Sequence, residues 1–181
     1  FVRSPGAAAE VRGVMDAAGR RVPVYAKIEK PEAVLQMEAI VKAFDGVLVA
    51  RGDLGVEMPL EDVPIVQKHL VQLAREHARP VIVATQMLDS MVCHSRPTRA
   101  EVSDVANAVL DGADALLLTA ETTVGRYPVE VVTTMRRIIV AAEAVDLRSM
   151  PPLKDRTSVQ AAIARAAART ACDLGARALV A

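Results

Sequence analysis

Two hydrophobic patterns alternate along the chain. Four short apolar runs, Val22–Ile28, Gly46–Ala50, Pro80–Ala84 and Ala115–Leu118, are too short and too continuous for amphipathic helices, and predict strands buried on both faces. Between them the apolar positions fall at helical spacing: Val34, Met37, Val41 and Phe44; Val63, Val66, Leu70 and Leu73; Val131, Met135, Ile138 and Ala142. Another helical segment, Ala7–Ala18, precedes the first run. Pro31 and Pro128 stand where first-turn prolines belong, and Thr98 with Glu101 has capping-box spacing. Gly19, Gly112 and Gly175 sit just past helical segments, where left-handed caps are expected.

Strand and helix in alternation predict a parallel sheet covered by helices, either doubly wound or closed as a barrel. Every strand run ends in polar residues: Lys27 and Glu29, Arg51 and Asp53, Thr85 and Gln86, Thr119 and Glu121. The intervals from Glu29 to Asp53, Asp53 to Thr85 and Thr85 to Thr119 are 24, 32 and 34 residues. An eight-unit barrel of roughly 250 residues averages about 31 per unit and places its chemistry at the C-terminal strand ends. The pattern therefore predicts half of a (β/α)8 barrel over residues 1–146. Leu147–Arg156, with Met150-Pro151-Pro152, reads as a linker, so a domain boundary is placed near residue 150. Residues 157–181 resume helical spacing over Ser158–Leu174 and end on a new strand, 178–181.

Composition narrows the partners. The 22 basic and 22 acidic side chains cancel, which gives no electrostatic reason for a nucleic-acid or anionic-membrane partner. No apolar run approaches the ~20 residues that span a bilayer. Aromatics are 2% of the chain, so aliphatic residues and methionine must build the core. Cys93 and Cys172 fit neither a zinc spacing nor a disulfide framework, and point to a reducing cytosol. Cys93 itself reads as a packed thiol, and His69, His77 and His94 as surface or interface residues. With no initiator Met and no signal peptide, the chain is expected to be a piece of something longer.

Glu29 and Asp53 end adjacent strands, so their carboxylates can converge on a divalent cation. Two hard oxygen ligands completed by water and substrate suit Mg²⁺. The pair also fits a plainer reading, as loop carboxylates or as partners of Lys27 or Arg51, but Thr85 on a third strand end tilts the balance toward a site. Lys27 lies on the same side of its strand as Glu29 and could stabilise developing negative charge. Gly52-Asp53-Leu54-Gly55 reads as a glycine turn whose amides run into a helix and could receive an anion.

Five blocks together carry a resemblance. Ala26-Lys-Ile-Glu29, Val49-Ala-Arg-Gly-Asp-Leu-Gly-Val56, Ile82-Val-Ala-Thr-Gln-Met-Leu88, Arg96-Pro-Thr-Arg-Ala-Glu101 and Ser103–Asp114 resemble pyruvate kinase, in order and in spacing, and bacterial forms in particular. The resemblance implies the second half of a TIM (β/α)8 barrel followed by the start of an α/β C-terminal domain. It implies phosphoryl transfer from phosphoenolpyruvate to ADP, giving pyruvate and ATP, in a cytoplasmic enzyme that is a homotetramer at full length. Lys27 is then the catalytic lysine, Glu29 and Asp53 ligate Mg²⁺ or Mn²⁺, and the Gly52 and Asp53 amides receive the substrate carboxylate. The Thr85 hydroxyl lies beside that carboxylate and serves carbon protonation, and Glu121 lies near the proton route. The K⁺ site, the arginines that grip phosphate and ADP, and the lid domain are expected outside these residues. Thr119-Ala120 replaces the family's usual Ser-Gly before Glu121, so a methyl group narrows the space beside that carboxylate. Competing readings are another metal-enolate barrel, such as a pyruvate-dependent lyase, and a non-catalytic truncated paralogue.

Overall fold

A computed structural model describes residues 1–144 and 159–176. The chain divides into two compact units, Phe1–Pro151 and Pro152–Ala181. The first contains four strands, β1 (Tyr25–Ile28), β2 (Gly46–Ala50), β3 (Val81–Ala84) and β4 (Ala115–Leu117), all parallel and in sequential order. The helices are α1 (Gly6–Ala17), α2 (Pro31–Leu35), α3 (Met37–Ala43), α4 (Arg51–Glu57), α5 (Val63–Glu76), α6 (Arg99–Asp111), α7 (Ala120–Thr123) and α8 (Pro128–Glu143). In the second unit the described element is α9 (Val159–Asp173), whose Val159 and Ile163 are exposed. The linker and the final strand expected from the sequence lie outside the described residues.

The register explains why the winding is that of a barrel. Parallel partners share a face, so Ala26, Val47 and Val81 form one row and Ile28, Val49, Val83 and Leu116 another. These rows are buried under the helices, except that Leu116 is half-buried. The intervening row, Lys27, Leu48, Ile82 and Ala115, lies on the opposite face, and none of these four is fully buried. A doubly wound sheet carries helices on both faces; a barrel carries them only outside. Sequential strand order with one bare face is half of a barrel seen from within.

That asymmetry corrects one expectation. β2 and β3 are largely buried on both sides, but β1 alternates exposed and buried, and the described residues of β4 are exposed or half-buried. The outer strands have a neighbour on one edge only, so their inward side chains lack the packing layers that further strands contribute in a complete barrel. A second correction concerns the helix predicted over Val34–Phe44. It is two helices, α2 and α3, broken at Gln36 (φ −118°, ψ 21°), although Met37, Val41 and Phe44 all reach the core. Punctuation behaves as expected elsewhere. Pro31 and Pro128 begin helices, Thr98 and Glu101 close a reciprocal capping box on α6, and Gly112 ends that helix at φ +99°.

Candidate functional site

The strands end level with one another: Ile28 pairs with Val49, Ala50 with Ala84, and Ala84 with Leu117. The residues that follow are therefore delivered to one rim. Lys27 is half-exposed on the bare face, and its Nζ bridges the carboxylates of Glu29 and Asp53, 2.7 Å from Asp53 Oδ2. Glu29 is buried, and its other oxygen accepts the Phe1 ammonium. Hydrogen bonds from Lys27, then from the Phe1 amine, outweigh burial and hold the Glu29 carboxyl at about 2. The same contacts, Asp53 first, raise the Lys27 ammonium above its ordinary value.

Glu29 and Asp53 fit a hard divalent cation. Their oxygens already converge on the Lys27 ammonium, so this corner draws positive charge. Among the described residues no group of three or more His, Cys, Asp and Glu side chains gathers. A cation held here would complete its shell with water and substrate oxygens, as Mg²⁺ commonly does.

Thr85 ends β3 in a left-handed conformation (φ +70°), and Gln86 repeats it (φ +52°). For a β-branched residue this is an outlier, costing on the order of 1–3 kcal/mol. The Thr85 hydroxyl donates to Ala84 O (2.6 Å) and accepts the Gly52 N–H (2.7 Å). A β-carbon at Gly52 would meet Thr85 Oγ1 at 3.3 Å, so glycine keeps the two strand ends this close. The glycine turn expected at residues 52–55 is in fact α4, which starts directly after β2. Gly52 and Asp53 are the second and third residues of that helix. The first amides of a helix lack partners within it. Of the two, Gly52 N–H is taken up by Thr85, and binding of an anion there competes with that bond.

Glu121 stands apart from this group. It is 1% exposed, and its oxygens accept Leu88 N–H (3.3 Å) and Thr119 N–H (2.9 Å). It thereby ties β4 to the loop that carries Thr85, without a hydrogen bond to Lys27, Glu29 or Asp53.

Several contacts were not anticipated from the sequence. Arg51 is nearly buried and donates to backbone carbonyls of Thr85 and Gln86 and to Asp104. The one available signal was a charged residue at the end of an apolar strand, which demands partners if buried. Glu101 does more than cap α6: it also accepts from Ser90 N–H and Oγ, fixing the loop after Met87 and Leu88. Burial pushes its carboxyl up, but the hydrogen bonds from Ser90 and Thr98 prevail and leave it lowered. Cys93, expected to be packed, is exposed, because the short turn Asp89–Val92 directs Met91 inward instead. His77, expected as a surface or interface residue, has a largely covered side chain and lies 3.7 Å from Glu38.

The fold is shared with known proteins. Residues 1–132 match the family model "Pyruvate kinase, barrel domain". The chain is 62% identical to a pyruvate kinase of Mycobacterium tuberculosis, over 100% of this chain and 38% of that protein. It is 60% identical to one of Corynebacterium glutamicum, again over 100% and 38%. Among solved structures, a pyruvate kinase from Cryptosporidium parvum superposes with a TM-score of 0.86 at 36% identity, over 97% of this chain and 38% of that one. The chain thus spans well under half the length of the relatives it matches.

Proposed function

The chain belongs to the pyruvate kinase family, and from that premise we propose that it carries the phosphoryl-transfer side of the catalytic site, with phosphoenolpyruvate and ADP as substrates. The observation that carries this reading is the Lys27 ammonium set between the Glu29 and Asp53 carboxylates at a barrel rim, with Thr85 at the next strand end beyond Asp53.

Glu29 and Asp53 would hold Mg²⁺ or Mn²⁺. When bound, such an ion supplies positive charge that offsets the charge of the transferring phosphoryl group and of the enolate left behind. In the reaction the bond from phosphorus to the enol oxygen breaks and a bond to a β-phosphate oxygen of ADP forms. The enolate carbon then takes a proton to give pyruvate. Lys27 serves the first step, because its ammonium is held at the rim and can follow charge onto the phosphoryl oxygens. The carboxylates that flank it keep it protonated. The Gly52 and Asp53 amides are the candidates for the substrate carboxylate. Since Gly52 N–H rests on Thr85 Oγ1, carboxylate binding there frees the hydroxyl as it forms. Thr85 then serves the second step, passing a proton through water to carbon. Glu121 acts on this chemistry by holding the Leu88 and Thr119 backbone. The remaining groups, including K⁺ ligands and those that grip ADP, come from outside these residues.

The test uses a hybrid enzyme in which this chain replaces the matching 38% of the Mycobacterium tuberculosis relative. Glu29→Gln in that hybrid should cut turnover steeply and raise the Mg²⁺ concentration needed for half-maximal rate. An unchanged rate at limiting Mg²⁺ would remove Glu29 from the proposed ligands.

A further inference from the structure

Two consecutive non-glycine residues with positive φ do not hold themselves in place, and Thr85 and Gln86 are held from outside the loop. Arg51 Nη2 donates to Thr85 O at 2.9 Å and to Gln86 O at 2.9 Å, and Nε reaches Thr85 O at 3.3 Å. Nη1 donates to Asp104 Oδ2 at 2.6 Å and reaches Gln67 Oε1 at 3.4 Å. Behind it, buried Gln67 donates to Asp111 Oδ2 at 3.3 Å, so the guanidinium is backed by the α5–α6 packing.

We propose that Arg51 is a positioning residue for carbon protonation: its guanidinium clamps the Thr85–Gln86 turn and so fixes the place from which the Thr85 hydroxyl acts, beside Gly52. The inference rests on the reading of Thr85 given above. A buried arginine often serves stability alone. Here, however, both carbonyls of the strained pair are taken up by one side chain, and the adjacent residue, Gly52, binds the threonine hydroxyl. One short segment, Arg51-Gly52, therefore grips Thr85 at its carbonyl and at its hydroxyl. Only a planar fork with several donors reaches two carbonyls and a carboxylate at once; a lysine ammonium in the same place cannot. Arg51 touches no reacting atom in this scheme and acts through Thr85.

The experiment uses Arg51→Lys, Thr85→Val and the double variant in the hybrid enzyme. Three rates are followed: ATP formation, solvent exchange of pyruvate methyl protons, and hydrogen exchange of the Gly52 and Val47 amides. Arg51→Lys is expected to slow methyl proton exchange about tenfold more than it slows ATP formation, in line with loss of charged hydrogen bonds. Added to Thr85→Val, it should slow methyl exchange by less than about twofold, because coupled residues are not additive. The Gly52 amide should exchange about tenfold faster in Arg51→Lys while Val47, bonded to Pro80 O within the sheet, stays protected. Additive losses, equal losses in both reactions, or a Gly52 amide unchanged or loosened together with Val47 would each overturn the clamp. If the unsubstituted hybrid exchanges no methyl protons, the functional reading of Thr85 fails, and the amide result decides the clamp alone.

Discussion

Replacing Lys27 with methionine should separate the two chemical steps. Methionine keeps the apolar stem and deletes the ammonium that lies between Glu29 and Asp53. The first consequence is electrostatic. The Lys27 hydrogen bond is the largest cause of the low Glu29 value of about 2. In the hybrid, Phe1 carries a neutral peptide N–H in place of its ammonium, so the charge behind the second cause is absent too. The Glu29 carboxyl in Lys27→Met should therefore titrate higher than about 2, because its largest lowering contact is gone while burial still acts. The second consequence is kinetic. Loss of one preorganised group acting on developing charge costs about 10²–10³ in kcat. ATP formation in a coupled assay should fall at least that far. Exchange of pyruvate methyl protons with solvent should persist within about tenfold, because the substitution leaves Thr85 and the Arg51 contacts that hold its turn unaltered. The carboxyl titration is read by carbon-13 NMR. Loss of both reactions in parallel, or ATP formation within about tenfold of the parent, would refute the assignment of Lys27 to the phosphoryl group.

Other outcomes follow from single contacts. Asp53→Asn should resemble Glu29→Gln in raising the Mg²⁺ requirement, and a difference confined to kcat would show that Asp53 binds Lys27 alone. Glu29 also predicts an acid window for the isolated chain. Its carboxyl is lowered in the fold, so its stabilisation is full above about 4.5 and disappears as pH falls toward 2. With the partner ammonium groups largely in solvent, the loss should be about 1 kcal/mol, and denaturant unfolding at pH 5 and pH 3 should differ by more than Glu29→Gln does. Thr98→Ala opens the α6 capping box and should cost about 1 kcal/mol, read as a lower thermal midpoint. The isolated chain should lack turnover and self-associate, since β1 and β4 each leave an edge unpaired among the described residues. A cooperative monomer by sedimentation would contradict the edge argument.

How much was legible in the sequence can be judged strand by strand. The run Gly46–Ala50 became β2 without adjustment, and β3 and β4 each differ from their runs by one residue. A continuous apolar run bounded by glycine, proline and charge leaves the backbone few alternatives. Val22–Val24 did not join β1: Val24 instead binds Asp45 through its N–H, and that loop contact has no periodicity to reveal it. The exposure of Tyr25 and Leu117 was hidden for a related reason. An inward side chain is buried by other strands, and a run's own composition does not say which strands are present. At the site, Lys27, Glu29 and Asp53 were legible because period-two alternation and adjacent strand ends bring them together. Thr85 was placed, but its positive φ and its bond to Gly52 were not foreseen, since threonine signals neither. Arg51 was read as a strand-end charge and as a possible partner of Glu29 or Asp53. Its partners are supplied by Asp104, Gln67 and the carbonyls of residues 85 and 86, brought together only by tertiary packing.

In the proposed function these strand ends form the working side of a pyruvate kinase site. The most direct test is the rate at which the purified hybrid makes ATP from phosphoenolpyruvate and ADP with saturating Mg²⁺ and K⁺. Turnover is expected within about tenfold of the unaltered Mycobacterium tuberculosis enzyme, and Lys27→Met should abolish it. A hybrid that folds cooperatively, binds Mg²⁺ and still makes no ATP would contradict it.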